Sequence, residues 1–133
     1  MRNDSLVKTW ISVVGAVLLL IGLLGFVNNP IVGRPDALFP TGNVHNVIHI
    51  LTGLIALYVG FVSTGRDQIN GVIGFGILYA VIFVVPLISP NLFGLFDTNV
   101  NVFDDVLHAV VAVVSIALGY MARGQTMTAG MGR

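Results

Sequence analysis

Six residues concentrate whatever chemistry this sequence can perform: His45, Asn46 and His49, then Asp104, Asp105 and His108. They include all three histidines of a chain of 133 residues. His45 and His49 stand four apart, as do Asp104 and His108, so on helices each pair shares one face. Imidazole nitrogens with a carboxylate form a ligand set for zinc, copper or iron(II), and His45 with His49 would be the chelating pair. His45, His49, Asp104 and His108 are therefore the candidate ligands of a divalent metal or a haem. Nothing in the sequence requires either. A plainer reading has the histidines and Asp104 hydrogen-bonding one another and the loop backbone, which would lock two helices together. A third has His49 and His108 holding a haem between helices, or one of them a chlorin-type pigment. No catalytic residue stands out, since there is no nucleophile beside a base, no phosphate-binding loop and no thiol pair; an enzyme is not expected.

The elements that must position these residues belong in lipid. Apolar residues make up 56% of the chain and charged residues 9%, against about 25% charged in ordinary soluble domains. A water-facing surface could not be built from so few polar groups. Net charge is zero, with six basic residues, six acidic residues that are all Asp, and no cysteine. A nucleic-acid binder, a disulfide scaffold and a cysteine zinc module are thereby excluded. What remains is an all-α integral membrane protein with the lipid bilayer as its first partner.

Four apolar stretches, about 10–27, 46–63, 70–89 and 105–122, are long enough to cross a hydrocarbon core of about 30 Å at a rise of about 1.5 Å per residue. Arg2, Lys8, Arg66, Arg123 and Arg133 fall at the termini and in the second loop, whereas Arg34 alone falls in the first loop and no basic residue in the third. The positive-inside bias places both termini in the cytoplasm and the chain in the cell (inner) membrane, with the histidines at the outer mouth. The first span is longer than the apolar core of a signal peptide and lacks its small-residue cleavage pattern. Trp10 and Tyr120 suit the cytoplasmic headgroup level. Phe39, Phe93, Phe96 and Phe103, in the outer loops, are expected to fold back over the mouth or to lie at the headgroup level. Residues 124–133, rich in Gly, Thr and Met, read as a flexible tail.

The two halves align on each other. Leu38-Phe39-Pro40-Thr41 matches Leu95-Phe96-Asp97-Thr98, and the segment from His45 to His49 matches that from Asp104 to His108 with one two-residue insertion. The expected fold is a four-helix bundle of two helical hairpins that are parallel repeats. Gly53, Ala56 and Gly60 continue the face of His49, and Ala112, Ser115 and Gly119 continue that of His108. These stripes predict a seam in which spans two and four touch, because helices in lipid associate by close backbone approach. Gly15, Gly22, Gly71 and Gly74 offer further close-approach points, and Pro86 a kink in span three.

At these residues the sequence resembles the domain of unknown function 4383 family of small bacterial four-helix membrane proteins. The likeness rests on an H-N-x-x-H pattern at His45, Asn46 and His49 followed by Gly53, and on N-x-x-D-x-x-L-H at Asn101, Asp104, Leu107 and His108. Where the family often has an Asn three residues before its first His, this chain has Gly42, with Asn43 one position later. The resemblance implies the four-span architecture and assigns no activity.

The expected role is a structural or accessory subunit, as a homo-oligomer or part of a larger membrane complex, with no nucleic-acid partner. A metal-, haem- or pigment-binding protein using the outer cluster is the alternative. A small transporter is disfavoured because the apolar cores carry no carboxylate to couple protons to substrate.

Overall fold

The computed structural model describes residues 3–95, 97–98 and 100–132, and among these it is all-helical. Four helices follow in order: α1 (Asn3–Leu24), α2 (Asn43–Phe61), α3 (Gly65–Ile88) and α4 (Val102–Met131), with a single 3-10 turn at Leu92–Gly94 before α4. Each of the four is long and apolar enough to cross a membrane. Among the described residues there is no strand, only an isolated bridge between Val32 and Phe39. Arg2, Phe96 and Arg133 lie outside the described residues.

Each helix begins before its apolar run, while α1, α2 and α3 end slightly short of theirs, because hydropathy marks apolar residues and backbone hydrogen bonding sets where a helix starts and stops. The C-terminus is the largest difference. Where a flexible tail was expected over 124–133, α4 continues to Met131. No proline interrupts it, and Thr126 and Thr128 donate their hydroxyls back to the carbonyls of Arg123 and Gly124 at 2.8 and 2.9 Å, so a long helix propagates past its packed part.

Each hairpin closes on itself. A Cβ added at Gly15 would sit 2.8 Å from the backbone nitrogen of Leu57, and one at Gly53 would sit 2.7 Å from that of Leu19, so α1 and α2 touch backbone to backbone. In the second hairpin a Cβ at Gly76 would meet the backbone nitrogen of Ile116 at 2.9 Å, and Gly119 lies against Ile73. The seam expected between spans two and four is therefore not formed. Gly53, Ala56 and Gly60 face α1, while Ala112, Ser115 and Gly119 lie on the side of α4 that meets α3 and α1. The reason is complementarity: each small-residue stripe packs where the opposing helix also offers small residues, Gly15 and Gly22 on α1 and Gly76 on α3. Gly74 meets no atom within 4 Å and provides no close approach.

Between the hairpins, side chains fill the gap. Val7, Ile11, Val14 and Leu18 of α1 share one core with Val72, Phe75 and Tyr79 of α3 and Ala112 of α4. Trp10 is half-buried and donates its indole N–H to Ser115 Oγ at 2.8 Å. It thus ties α1 to α4. Ser115 is fully buried, so Trp10→Phe should leave its hydroxyl unpaired and destabilise by about 1–3 kcal/mol. The same change made with Ser115→Ala already present should cost less; equal costs in denaturant titrations would show the bond contributes nothing.

The loop ends are closed by side-chain amides. Gln68 donates to the carbonyls of Val59, Gly60 and Ser63 at 3.0 to 3.1 Å, satisfying the end of α2. In the first loop Asn29 donates to the carbonyls of Leu24, Val27 and Val32, and its Oδ1 accepts from the N–H groups of Ile31 and Val32 at 2.9 Å each. Asn29→Ala removes all five bonds. Its expected cost is about 1–3 kcal/mol, read as a lowered thermal transition in micelles; an unchanged transition would mean the loop holds its shape without them.

Candidate metal centre

The ends of α2 and α4 bring the histidines together. Asn101 caps α4 in a capping box: its side chain accepts from the N–H groups of Phe103 and Asp104, and Asp104 Oδ2 accepts from the Asn101 N–H at 3.0 Å. The Asn101 amide also donates to the Leu38 carbonyl at 3.0 Å, joining the first loop to the start of α4. These bonds fix the start of α4, with His108 about two turns inside the helix. On α2, His45 and His49 stack with ring centroids 4.4 Å apart. His108 lies 5.9 Å from His45 and 6.2 Å from His49, centroid to centroid.

All three rings are buried, at 5 to 6% exposure. One ligand nitrogen from each can be chosen so that all lie within 4.8 Å of one another. Ligand nitrogens around a tetrahedral zinc stand about 3.4 Å apart, given Zn–N distances of about 2.0–2.1 Å, so the rings would have to draw together to close around an ion. The rings differ in what they already bond. His45 Nδ1 donates its N–H to the Thr98 carbonyl at 2.9 Å, which leaves the lone pair on Nε2, as in a metal-ligating histidine oriented by an outer partner. His49 Nδ1 and His108 Nδ1 are buried without any partner. A buried polar atom left unpaired costs about 1–3 kcal/mol.

Of the four residues singled out in the sequence, three converge. Asp104 is held in its own helix cap and does not join the three-histidine set, although it lines a cavity of about 110 Å³ together with His49 and His108. Among the described residues no hydrogen bond links the histidines to each other or to Asp104, but the expected bonds to loop backbone are present in part: His45 bonds the Thr98 carbonyl and Asp104 the Asn101 N–H. Phe39 lines the same small cavity, whereas Phe93 and Phe103 are exposed.

A family profile, Domain of unknown function (DUF4383), matches residues 8–121, from the first turns of α1 to deep within α4. The chain belongs to the DUF4383 family. No curated protein and no solved structure matches it. The DUF4383 match spans every residue of the histidine cluster, all of α2 and α3 and most of α1 and α4.

Two neighbours of the cluster were not among the residues singled out in the sequence. Thr98 holds His45 and also bonds the Pro90 carbonyl through both its N–H and its hydroxyl, at 3.1 and 3.0 Å. Its signal was present, since Thr41 and Thr98 occupy the same place in the two aligned blocks and both are buried. Tyr79 is 1% exposed, shares a 3.0 Å hydrogen bond with Thr52 Oγ1, and sets its ring 5.8 Å from that of His108. A lone tyrosine in mid-span, unlike the exposed Tyr58 and Tyr120, was the available hint.

Proposed function

We propose that this DUF4383 protein is a membrane-embedded metal-binding protein in which His45, His49 and His108 ligate one divalent first-row ion. The observation that carries the reading is the pair of buried imidazole nitrogens, His49 Nδ1 and His108 Nδ1, that lack partners inside a group of three rings. An ion would satisfy them, and three neutral imidazoles with a free fourth position suit zinc best, with copper and iron(II) also accommodated. Asp104 and Asp105, at the start of α4, would offset part of the ion's charge without binding it.

The helices cross the cell membrane with both termini cytoplasmic and the histidines at the outer end. Lys8, Arg66 and Arg123 all sit at the end of the bundle opposite the histidines, and Arg34 on the histidine side is paired with Asp36 at 2.7 Å, which favours this orientation. The hairpins are parallel repeats, a reading supported by His49 and His108 each heading a small-residue stripe.

The test uses full-length protein carrying no histidine tag, purified in mild detergent, stripped with chelator and equilibrated with Zn(II). One zinc per chain by mass spectrometry of the metal is expected, and uptake no greater than that of a variant with all three histidines replaced by alanine overturns the proposal.

A further inference from the structure

A second cavity, of about 230 Å³, meets the three imidazoles from the other side. Its walls are apolar: Ile48 from α2, and Ile82, Val85 and Pro86 from α3. It exists because α2 and α3 diverge. They are in contact at their joined end, where Gly71 lies against Val59, and are still bonded at mid-height through Thr52 and Tyr79, but the space above that bond is open. Val81, which also lines the cavity, is 52% exposed, so the opening faces outward between the two helices, towards hydrocarbon if the helices span a bilayer.

The size and lining restrict the occupant. A dry cavity of about 150 Å³ holds a benzene ring, so this one has room for a substituted six-membered ring. Water is a poor filler, because the lining is apolar throughout: the imidazoles border the cavity with ring carbons, and Tyr79 and Thr98, the other polar residues around it, spend their hydroxyls on Thr52 and the Pro90 carbonyl. A ligand that suits has an apolar ring, one oxygen able to reach the histidines, and a chain that leads out between α2 and α3.

We propose that the cavity receives the ring of a lipid-soluble phenol or quinol, with its hydroxyl oxygen at the free coordination position of the ion held by His45, His49 and His108. The inference rests on the metal-binding reading and adds the class of ligand that completes the site. It involves binding alone and no electron transfer.

The probe is 4-hexylphenol, added to Co(II)-loaded full-length protein in micelles, because Co(II) reports its coordination sphere in the visible spectrum. A saturable change in the Co(II) bands is expected. Hexylbenzene, which lacks the hydroxyl, should give none. Ile82→Trp and Val85→Phe, which fill the cavity from its α3 wall, should weaken the response on the order of tenfold or more while leaving one Co(II) per chain. If no Co(II) is taken up, the metal-binding reading itself fails. If Co(II) binds and its spectrum ignores 4-hexylphenol, or responds equally to hexylbenzene or in both filled variants, the metal site stands and the phenol site is wrong.

Discussion

His108→Ala is expected to abolish zinc uptake while leaving the bundle folded. The ring supplies one of three ligand nitrogens, and losing it opens the coordination shell, so affinity should fall by more than the roughly 10–100-fold that follows loss of an outer-shell partner. Because no hydrogen bond of the described residues depends on this ring, helical content should be retained. His45→Ala should behave differently: it removes a ligand and also the bond to the Thr98 carbonyl, so the third loop should loosen as the metal is lost. Competition against a chromophoric zinc chelator, with circular dichroism on the same samples, separates the two. Zinc affinity in His108→Ala within about threefold of the parent, well short of even an outer-shell loss, would remove His108 from the ligand set.

Gly53→Leu should break the first hairpin. The first carbon of any side chain at this position lies 2.7 Å from the backbone nitrogen of Leu19, which cannot rotate away. Even Gly53→Ala must push α1 off α2, and the leucine should cost more than the roughly 1–3 kcal/mol typical of overpacked cores. Gly74→Ala is the matched control. Nothing lies within 4 Å of its added carbon, and helix propensity predicts no loss or a gain of about 0.5–1 kcal/mol. Unfolding in mixed micelles reads both; similar transitions for Gly53→Leu and Gly74→Ala would refute the close backbone contact between α1 and α2.

The helices were legible because sixteen or more apolar residues without a charge have few other uses, and the family could be named from the H-N-x-x-H and N-x-x-D-x-x-L-H spacings. Partner choice was not. A stripe such as Gly53, Ala56 and Gly60 says that some backbone comes close, without saying which, and matched depth on spans two and four suggested the wrong neighbour. Trp10 was legible only in part: its nearness to the charged N-terminus suits an interfacial ring, while its hydrogen bond to Ser115 depends on a residue 105 positions away. The convergence of three histidines could be anticipated from their spacing. Asp104 could not be assigned, because a carboxylate three residues after an asparagine serves equally well as a ligand and as half of a capping box.

The closest backbone contacts lie inside each hairpin, and the two hairpins are joined to each other mainly by side chains. The proposed zinc site would draw on both: His45 and His49 come from the first hairpin and His108 from the second. Coordination would then act as a staple across the weaker join, adding about 2.7 kcal/mol to the assembled form at a free zinc concentration a hundred times the dissociation constant. Zinc should therefore raise the thermal transition of the parent protein and leave that of His108→Ala where it was. Occupancy of the metal site would in this way record whether the halves of the molecule have found each other.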